Sequence, residues 1–257
     1  MIGFCPLASG SKGNAIYLGT KKTKILIDAG ISLKKLKERL KEIHVELDEI
    51  DAVFISHEHS DHISGLKALC MRYDIDIVAN AETAKGIYKS LLFKPSFKIF
   101  STNETFHFKG LEVHPFSIQH DTLDPVGFVI YAEGKKIGFC ADLGFVTTLV
   151  QKNLENCDYL YIEANHEEDM VMASNRPPLY KQRVLGRQGH LSNAASGSLL
   201  ISIIHKGLKH VHLAHLSSEC NHPDKAKEII QKLLQKQEMS VDISIAYQEK
   251  ISKAIYF

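Results

Sequence analysis

His57-Glu58-His59-Ser60-Asp61-His62 packs three imidazoles and the Asp61 carboxylate into six residues. The run Asp51-Ala52-Val53-Phe54-Ile55 ahead of it is short, apolar and rich in β-branched side chains, and it reads as a buried strand. In an extended chain, residues two apart point the same way, so His57 and His59 can grip one cation. A helix is expected over Ser64–Leu69, and Asp61 and His62 lie where it begins, facing a second cation. Imidazole and carboxylate ligands suit zinc, and also manganese or iron. A structural zinc site closes with four ligands, often cysteines. A histidine-dominated one keeps a position for water, the arrangement used in catalysis.

Three further ligand-type residues stand at or just past the ends of apolar runs. His120 follows Val113–Ile118, Asp142 follows Ile137–Cys140, and His215 follows Val211–Ala214. Strand ends are where loops gather into one site. Together with the first motif these residues make a two-metal constellation.

The elements that must position them follow from periodicity and punctuation. Strands are expected at Ile2–Leu7, Ala15–Leu18 and Lys24–Ile27, then at Ile75–Ala79, Phe97–Phe100, Thr105–Phe108, Leu111–Ile118, Val126–Ala132 and Lys136–Cys140, and finally at Tyr159–Glu163, Val211–Ala214 and Val241–Ala246. Gly134 marks a hairpin turn. Helices are expected over Leu33–Ile43 behind a Ser32 cap, and over Glu82–Leu92, Phe145–Leu154, Asn193–His205 and Pro223–Leu234. Two sheets packed face to face with helices outside accommodate this order in a single domain over residues 1–257. Glu167–Gln188 is the least regular segment. It holds Arg176, Lys181, Arg183 and Arg187 with no acid after Asp169, and it reads either as a solvated loop or as a phosphate-contacting arm.

Composition sets the outer bounds. The chain has 257 residues, 44% of them hydrophobic, and a formal net charge of +1, so any footprint for a polyanion must be local. The five cysteines are scattered and form no C-x-x-C pair, so packing in a reduced, cytoplasmic protein is expected. No apolar run approaches the length of a membrane span and no signal-peptide pattern opens the chain, so no membrane partner is expected. The oligomeric state is left open.

The order Asp28, His57-x-His59-x-Asp61-His62, His120, Asp142, His215 resembles the metallo-β-lactamase superfamily over nearly the whole chain. The resemblance implies a four-layer αβ/βα sandwich, an α+β fold of two mixed β-sheets with helices on the outer faces. By position, His57, His59 and His120 would bind the first of two divalent metals (zinc or manganese, with iron also suitable). Asp61, His62 and His215 would bind the second, Asp142 would bridge, and Asp28 would support the ligand loop. Gly189-His190-Leu191-Ser192-Asn193, followed by Leu213-Ala214-His215-Leu216-Ser217, is similar to the closing segment of ribonuclease Z-like nucleases. Together with Leu7-Ala8-Ser9-Gly10-Ser11-Lys12-Gly13-Asn14, Asp124-Pro125-Val126-Gly127 and Glu163-Ala164-Asn165-His166, it resembles the YycJ (WalJ) branch. That branch implies a metal-dependent exonuclease acting on DNA from the 5′ end, with a metal-bridging hydroxide attacking phosphorus.

On this reading Asp61 accepts a proton as well as holding metal, and His190 donates one to the leaving oxygen. Ser11, Asn14, Ser192 and Asn193 are the expected substrate contacts, and His166 and His222 stand as possible further contacts. The alternative is a small-molecule metallohydrolase acting on a thioester, lactone or cyclic phosphodiester. A diiron redox protein of this fold would carry Glu where His59 stands. A vestigial binding protein would not be expected to keep the full ligand set.

Overall fold

The computed structural model describes residues 1–92 and 95–257. The chain divides into two compact units. One comprises Met1–Pro115, Thr122–Val126 and Ala246–Phe257, and the other Phe116–Asp121 and Gly127–Ile245. The strands are β1 (Gly3–Ala8), β2 (Ala15–Gly19), β3 (Lys24–Ile27), β4 (Ala52–Phe54), β5 (Asp76–Asn80), β6 (Phe97–Phe100), β7 (Phe106–Phe108), β8 (Leu111–Ser117), β9 (Val126–Ala132), β10 (Lys135–Cys140), β11 (Tyr159–Glu163), β12 (His210–Ala214), β13 (Asp242–Ile245) and β14 (Ile255–Tyr256). They form two mixed seven-stranded sheets, ordered β14-β1-β2-β3-β4-β5-β6 and β13-β12-β11-β10-β9-β8-β7.

In the first unit, β1 to β3 pair antiparallel, and β3 to β6 run parallel. Strands β1, β2 and β4 are buried along their whole length, which explains their continuous apolar runs. Helix α1 (Leu33–Glu42) starts where the Ser32 side chain accepts from the Lys35 N–H. It buries Leu36 and Leu40. It also buries Arg39, whose guanidinium donates to the carbonyls of Leu7 (2.8 Å) and Gln248 (3.2 Å). The helix expected after the metal motif is two short ones, α2 (Ser60–Ile63) and α3 (Leu66–Cys70), so Asp61 and His62 lie inside a helical turn rather than ahead of it. Asn80 caps α4 (Ala81–Leu91) by accepting from the Thr83 N–H.

In the second unit, β9 and β10 form the expected hairpin. Glu133 and Gly134 both have positive φ, as a two-residue type I′ turn requires. Strands β10 to β13 then run parallel, and parallel neighbours need crossover helices. These are α5 (Thr148–Leu154), α6 (Glu168–Ala173), α7 (Pro178–Leu185), α8 (Asn193–Ile203) and α9 (Pro223–Gln235). Helix α5 begins three residues later than expected, because Thr147 caps it by accepting from the Val150 N–H. The segment read as irregular holds α6 and α7, and Pro178 opens α7 because its missing N–H costs nothing in a first turn.

Each sheet thus brings parallel strands to a common carboxyl edge, the place where open parallel sheets hold ligands. Asp28 follows β3 and His57 lies just beyond β4. Asp142 follows β10, Glu163 ends β11, and His215 follows β12.

Candidate metal-ligand sets

Asp28, Asp142 and His215 share a feature at those edges: each adopts left-handed backbone, with φ of 61°, 55° and 53°. This conformation is costly for residues other than glycine, and it clusters where a side chain must be re-aimed for function.

The first unit holds His57, His59, Asp61 and His62. Asp28 organises them. Its carboxylate accepts from the Ser56 N–H (2.9 Å) and Ser56 Oγ–H (2.9 Å), and it lies 2.8 Å from His62 Nδ1. Ser56 Oγ is also 3.0 Å from His57 Nδ1. Placing the Nδ1 proton against a carboxylate, directly for His62 and through Ser56 for His57, leaves the Nε2 lone pair as the ligating one. His57 and His59 rings lie 4.9 Å apart, and His57 and His62 rings 4.0 Å. His62 Nε2 is 3.6 Å from Asp61 Oδ2. Two ligands about 2.1 Å from one tetrahedral cation stand roughly 3.4 Å apart, so the pair is spaced for a shared ion.

The side chain of Asn14, an expected substrate contact, lies against Asp61 and His62. Its Nδ2 is 2.9 Å from His62 Nε2 and donates to Asp61 Oδ2 (3.2 Å), while its Oδ1 accepts from the Gly10 N–H. A cation on Asp61 and His62 would take the place of that donor. Gly30 makes the seat possible, because a Cβ there would lie 1.5 Å from the Asp61 carbonyl oxygen. Ser11 is exposed on the neighbouring turn.

The second unit holds His120, Asp142, Glu163, His190 and His215. Ligand atoms of Asp142, Glu163, His190 and His215 all lie within 4.8 Å of one another. His120 Nδ1 is 3.1 Å from the Gly189 carbonyl, and its Nε2 is 3.8 Å from Asp142 Oδ1, again close to co-ligand spacing. Glu163 has no exposed surface. Its Oε1 is 2.8 Å from His190 Nδ1 and 3.1 Å from His215 Nδ1, and its Oε2 accepts from the N–H groups of Leu143 (2.7 Å) and Leu191 (3.1 Å). Burial opposes ionisation of Glu163. The adjacent His190 charge and the bonds from His190 and His215 outweigh it and hold the carboxyl well below the usual carboxylate range. The donor chemistry in both units fits divalent transition metals, with Nδ1 of His57, His62, His120 and His215 tied back and Nε2 left to ligate.

Several of the expected contacts have other partners in the structure. Asn193 is fully buried, and its amide donates to Glu167 (2.6 Å) and Asn221 (2.9 Å), which gives it a framework role rather than a substrate contact. The Ser192 side chain caps α8 through the Ala195 N–H. His222 caps α9, its Nδ1 accepting from the Asp224 N–H. His166 is buried beside Asn165, and burial pushes its pKa down. Two of the four cations of the basic arm are paired with carboxylates. Arg176 makes a bidentate pair with Glu219, and Arg183 pairs with Asp121 through two bonds, one of 2.6 Å and one of 3.3 Å.

The Beta-lactamase superfamily domain profile matches residues 23–212. The chain belongs to the metallo-β-lactamase superfamily and, within it, to the family of the YycJ and WalJ proteins. It is 33% identical over 249 residues to exodeoxyribonuclease WalJ of Streptococcus pneumoniae serotype 2 (strain D39), covering 95% of this chain and 91% of that one. It is 30% identical over 240 residues to exodeoxyribonuclease YycJ of Bacillus anthracis, covering 93% of this chain and 91% of that one. Among solved structures, Zn2+-bound PqqB from Methylobacterium extorquens shares the fold, with a TM-score of 0.70 and 17% identity over 97% of this chain and 99% of that one. The protein is a metal-dependent hydrolase. Among the described residues no helix is long and apolar enough to cross a membrane.

Proposed function

We propose that the chain is a binuclear metal-dependent phosphodiesterase that removes nucleotides from the 5′ end of DNA. His57, His59 and His120 would hold one ion, Asp61, His62 and His215 the other, and Asp142 both. Zinc and manganese are the proposed ions. When bound, such ions lower the pKa of water and neutralise charge on a phosphoryl group. The protein's own residues supply the rest. Asp61 accepts the proton of the attacking water. His190 gives a proton to the departing oxygen, which a DNA alkoxide needs and an activated ester does not. DNA is the proposed partner, in keeping with the exodeoxyribonuclease names of the relatives, and the cytoplasm is the proposed location.

The observation that carries this reading is the setting of His190. Its Nδ1 is fixed by buried Glu163 while the side chain keeps 16% of its surface exposed, which supports the donor role proposed for its Nε2. The test is a panel of 5′-labelled DNA, 5′-labelled RNA, bis-p-nitrophenyl phosphate, a thioester and a β-lactam, each assayed with zinc and with manganese. Turnover of the thioester or β-lactam but of no phosphodiester would overturn the proposal.

A further inference from the structure

Of the cations in the Arg176–Arg187 arm, Arg176 and Arg183 are matched by Glu219 and Asp121, and Lys181 Nζ donates to the Met172 carbonyl at 2.6 Å. Arg187 differs. Its guanidinium lies 4.0 Å over the Phe145 ring, and among the described residues no carboxylate pairs with it. Phe145 remains 39% exposed. Arg187 also lines an open cavity of about 420 Å3, together with Asp121, Gln182, Arg183, Gly186 and Gln188. That volume falls in the lower part of the roughly 300–1,000 Å3 range of small-ligand sites.

The cavity wall is tied to the candidate chemistry within the same unit. Asp121 follows His120 directly. The His190 N–H donates to the Val184 carbonyl (3.0 Å), and the Gly189 carbonyl lies 3.1 Å from His120 Nδ1. A Cβ on Gly144 would lie 2.5 Å from the Arg187 carbonyl and 2.6 Å from the Gly189 nitrogen, so residues 187–189 rest on the chain just after Asp142. The floor of the cavity is therefore fixed relative to His120, Asp142 and His190.

We infer that this cavity is a nucleotide subsite. The Arg187 guanidinium, seated over Phe145, would offer a face to a nucleobase and its N–H edge to the adjoining phosphate. A planar guanidinium with no carboxylate partner can do both, whereas an ammonium cannot. The amides of Gln182 and Gln188 supply donors and acceptors at the rim without selecting one base. The ligand class is a nucleoside 5′-phosphate at the end of a strand.

This inference rests on the phosphodiesterase reading, and the experiment separates the two. Wild type, Arg187→Ala, Arg187→Lys and Phe145→Ala are compared on thymidine 5′-(p-nitrophenyl phosphate) and on bis-p-nitrophenyl phosphate, which share a leaving group but differ in the nucleoside. The ratio of kcat/KM for the nucleotide ester to that for the plain ester should fall about 10-fold in Arg187→Ala and in Phe145→Ala, within the span of a base-stacking contact. Arg187→Lys should also lower it, since charge without a plane cannot stack. Ratios equal to wild type in all three variants, with circular dichroism unchanged, overturn the subsite and leave the phosphodiesterase standing. A metal-loaded wild type inactive on both esters and on DNA overturns the phosphodiesterase reading and the subsite with it.

Discussion

Glu163→Gln is the most informative single substitution, because one buried carboxylate fixes both His190 and His215. Four contacts converge on it, from His190 Nδ1 (2.8 Å), His215 Nδ1 (3.1 Å), Leu143 N (2.7 Å) and Leu191 N (3.1 Å). All four are donors, and the carboxylate accepts with both oxygens. Glutamine has one acceptor oxygen, so its NH2 must face two donors, either the backbone pair or the ring pair. If the oxygen stays on the backbone, two charge-assisted bonds of about 1.5–3 kcal/mol each are lost. With relaxation, the expected loss of stability is about 3 kcal/mol. The freed His215 ring can also adopt the wrong tautomer, and removing such an outer partner typically weakens metal binding by about 10–100-fold. Competition against a chromophoric zinc chelator, alongside urea unfolding, reads both effects. Wild-type zinc affinity and an unchanged unfolding midpoint in Glu163→Gln would refute the role assigned to this carboxylate.

Four further outcomes are expected. Gly30→Ala should displace the Asp61 turn, since its Cβ would meet the Asp61 carbonyl oxygen at 1.5 Å, and elemental analysis should find less metal retained than in wild type. His190→Ala should keep its metal, lose about 10²–10⁴-fold on DNA, and lose less on a p-nitrophenyl ester, whose leaving group needs no proton. Arg176→Gln should leave the salt dependence of DNA binding nearly unchanged, because Glu219 already neutralises that charge; a slope shallower by about 0.9 would show that it contacts a phosphate. Burial pushes the Cys5 and Cys157 thiols up to about 12 and raises Cys140 further. These thiols should therefore resist Ellman's reagent at pH 8 in the native protein, and all five cysteines should react after unfolding.

The candidate ligand residues stand out in the sequence because their signals are local: histidines two apart after an apolar strand, and polar residues closing β10 and β12. Parallel pairing of β10 to β12 then brings those closing residues to one edge. Glu163 carries the same signal, a charge ending the buried run Tyr159-Leu160-Tyr161-Ile162, yet its partners come from 27 and 52 residues away and no spacing reveals them. The ion pairs of the basic arm were hidden for a related reason. Its neutralising partners, Glu219 and Asp121, lie outside the segment, and Pro177-Pro178 reads as a break although it starts a helix. Strand β14 was missed because a two-residue strand has no periodicity to detect. Asn14 was expected at substrate from its loop and Asn193 from its motif, and only packing shows that the Asn14 side chain attends Asp61 and His62 while that of Asn193 is locked between Glu167 and Asn221.

Metal-dependent removal of nucleotides from DNA is tested most directly by incubating the zinc- or manganese-loaded protein with 5′-labelled DNA and resolving the products over time. Labelled mononucleotide should appear first, before any shortened labelled strand. Chelation, or Asp61→Ala in a protein of unchanged circular dichroism, should abolish its release. Intact DNA with either metal, or cleavage that persists equally in Asp61→Ala and under chelation, would contradict the assignment.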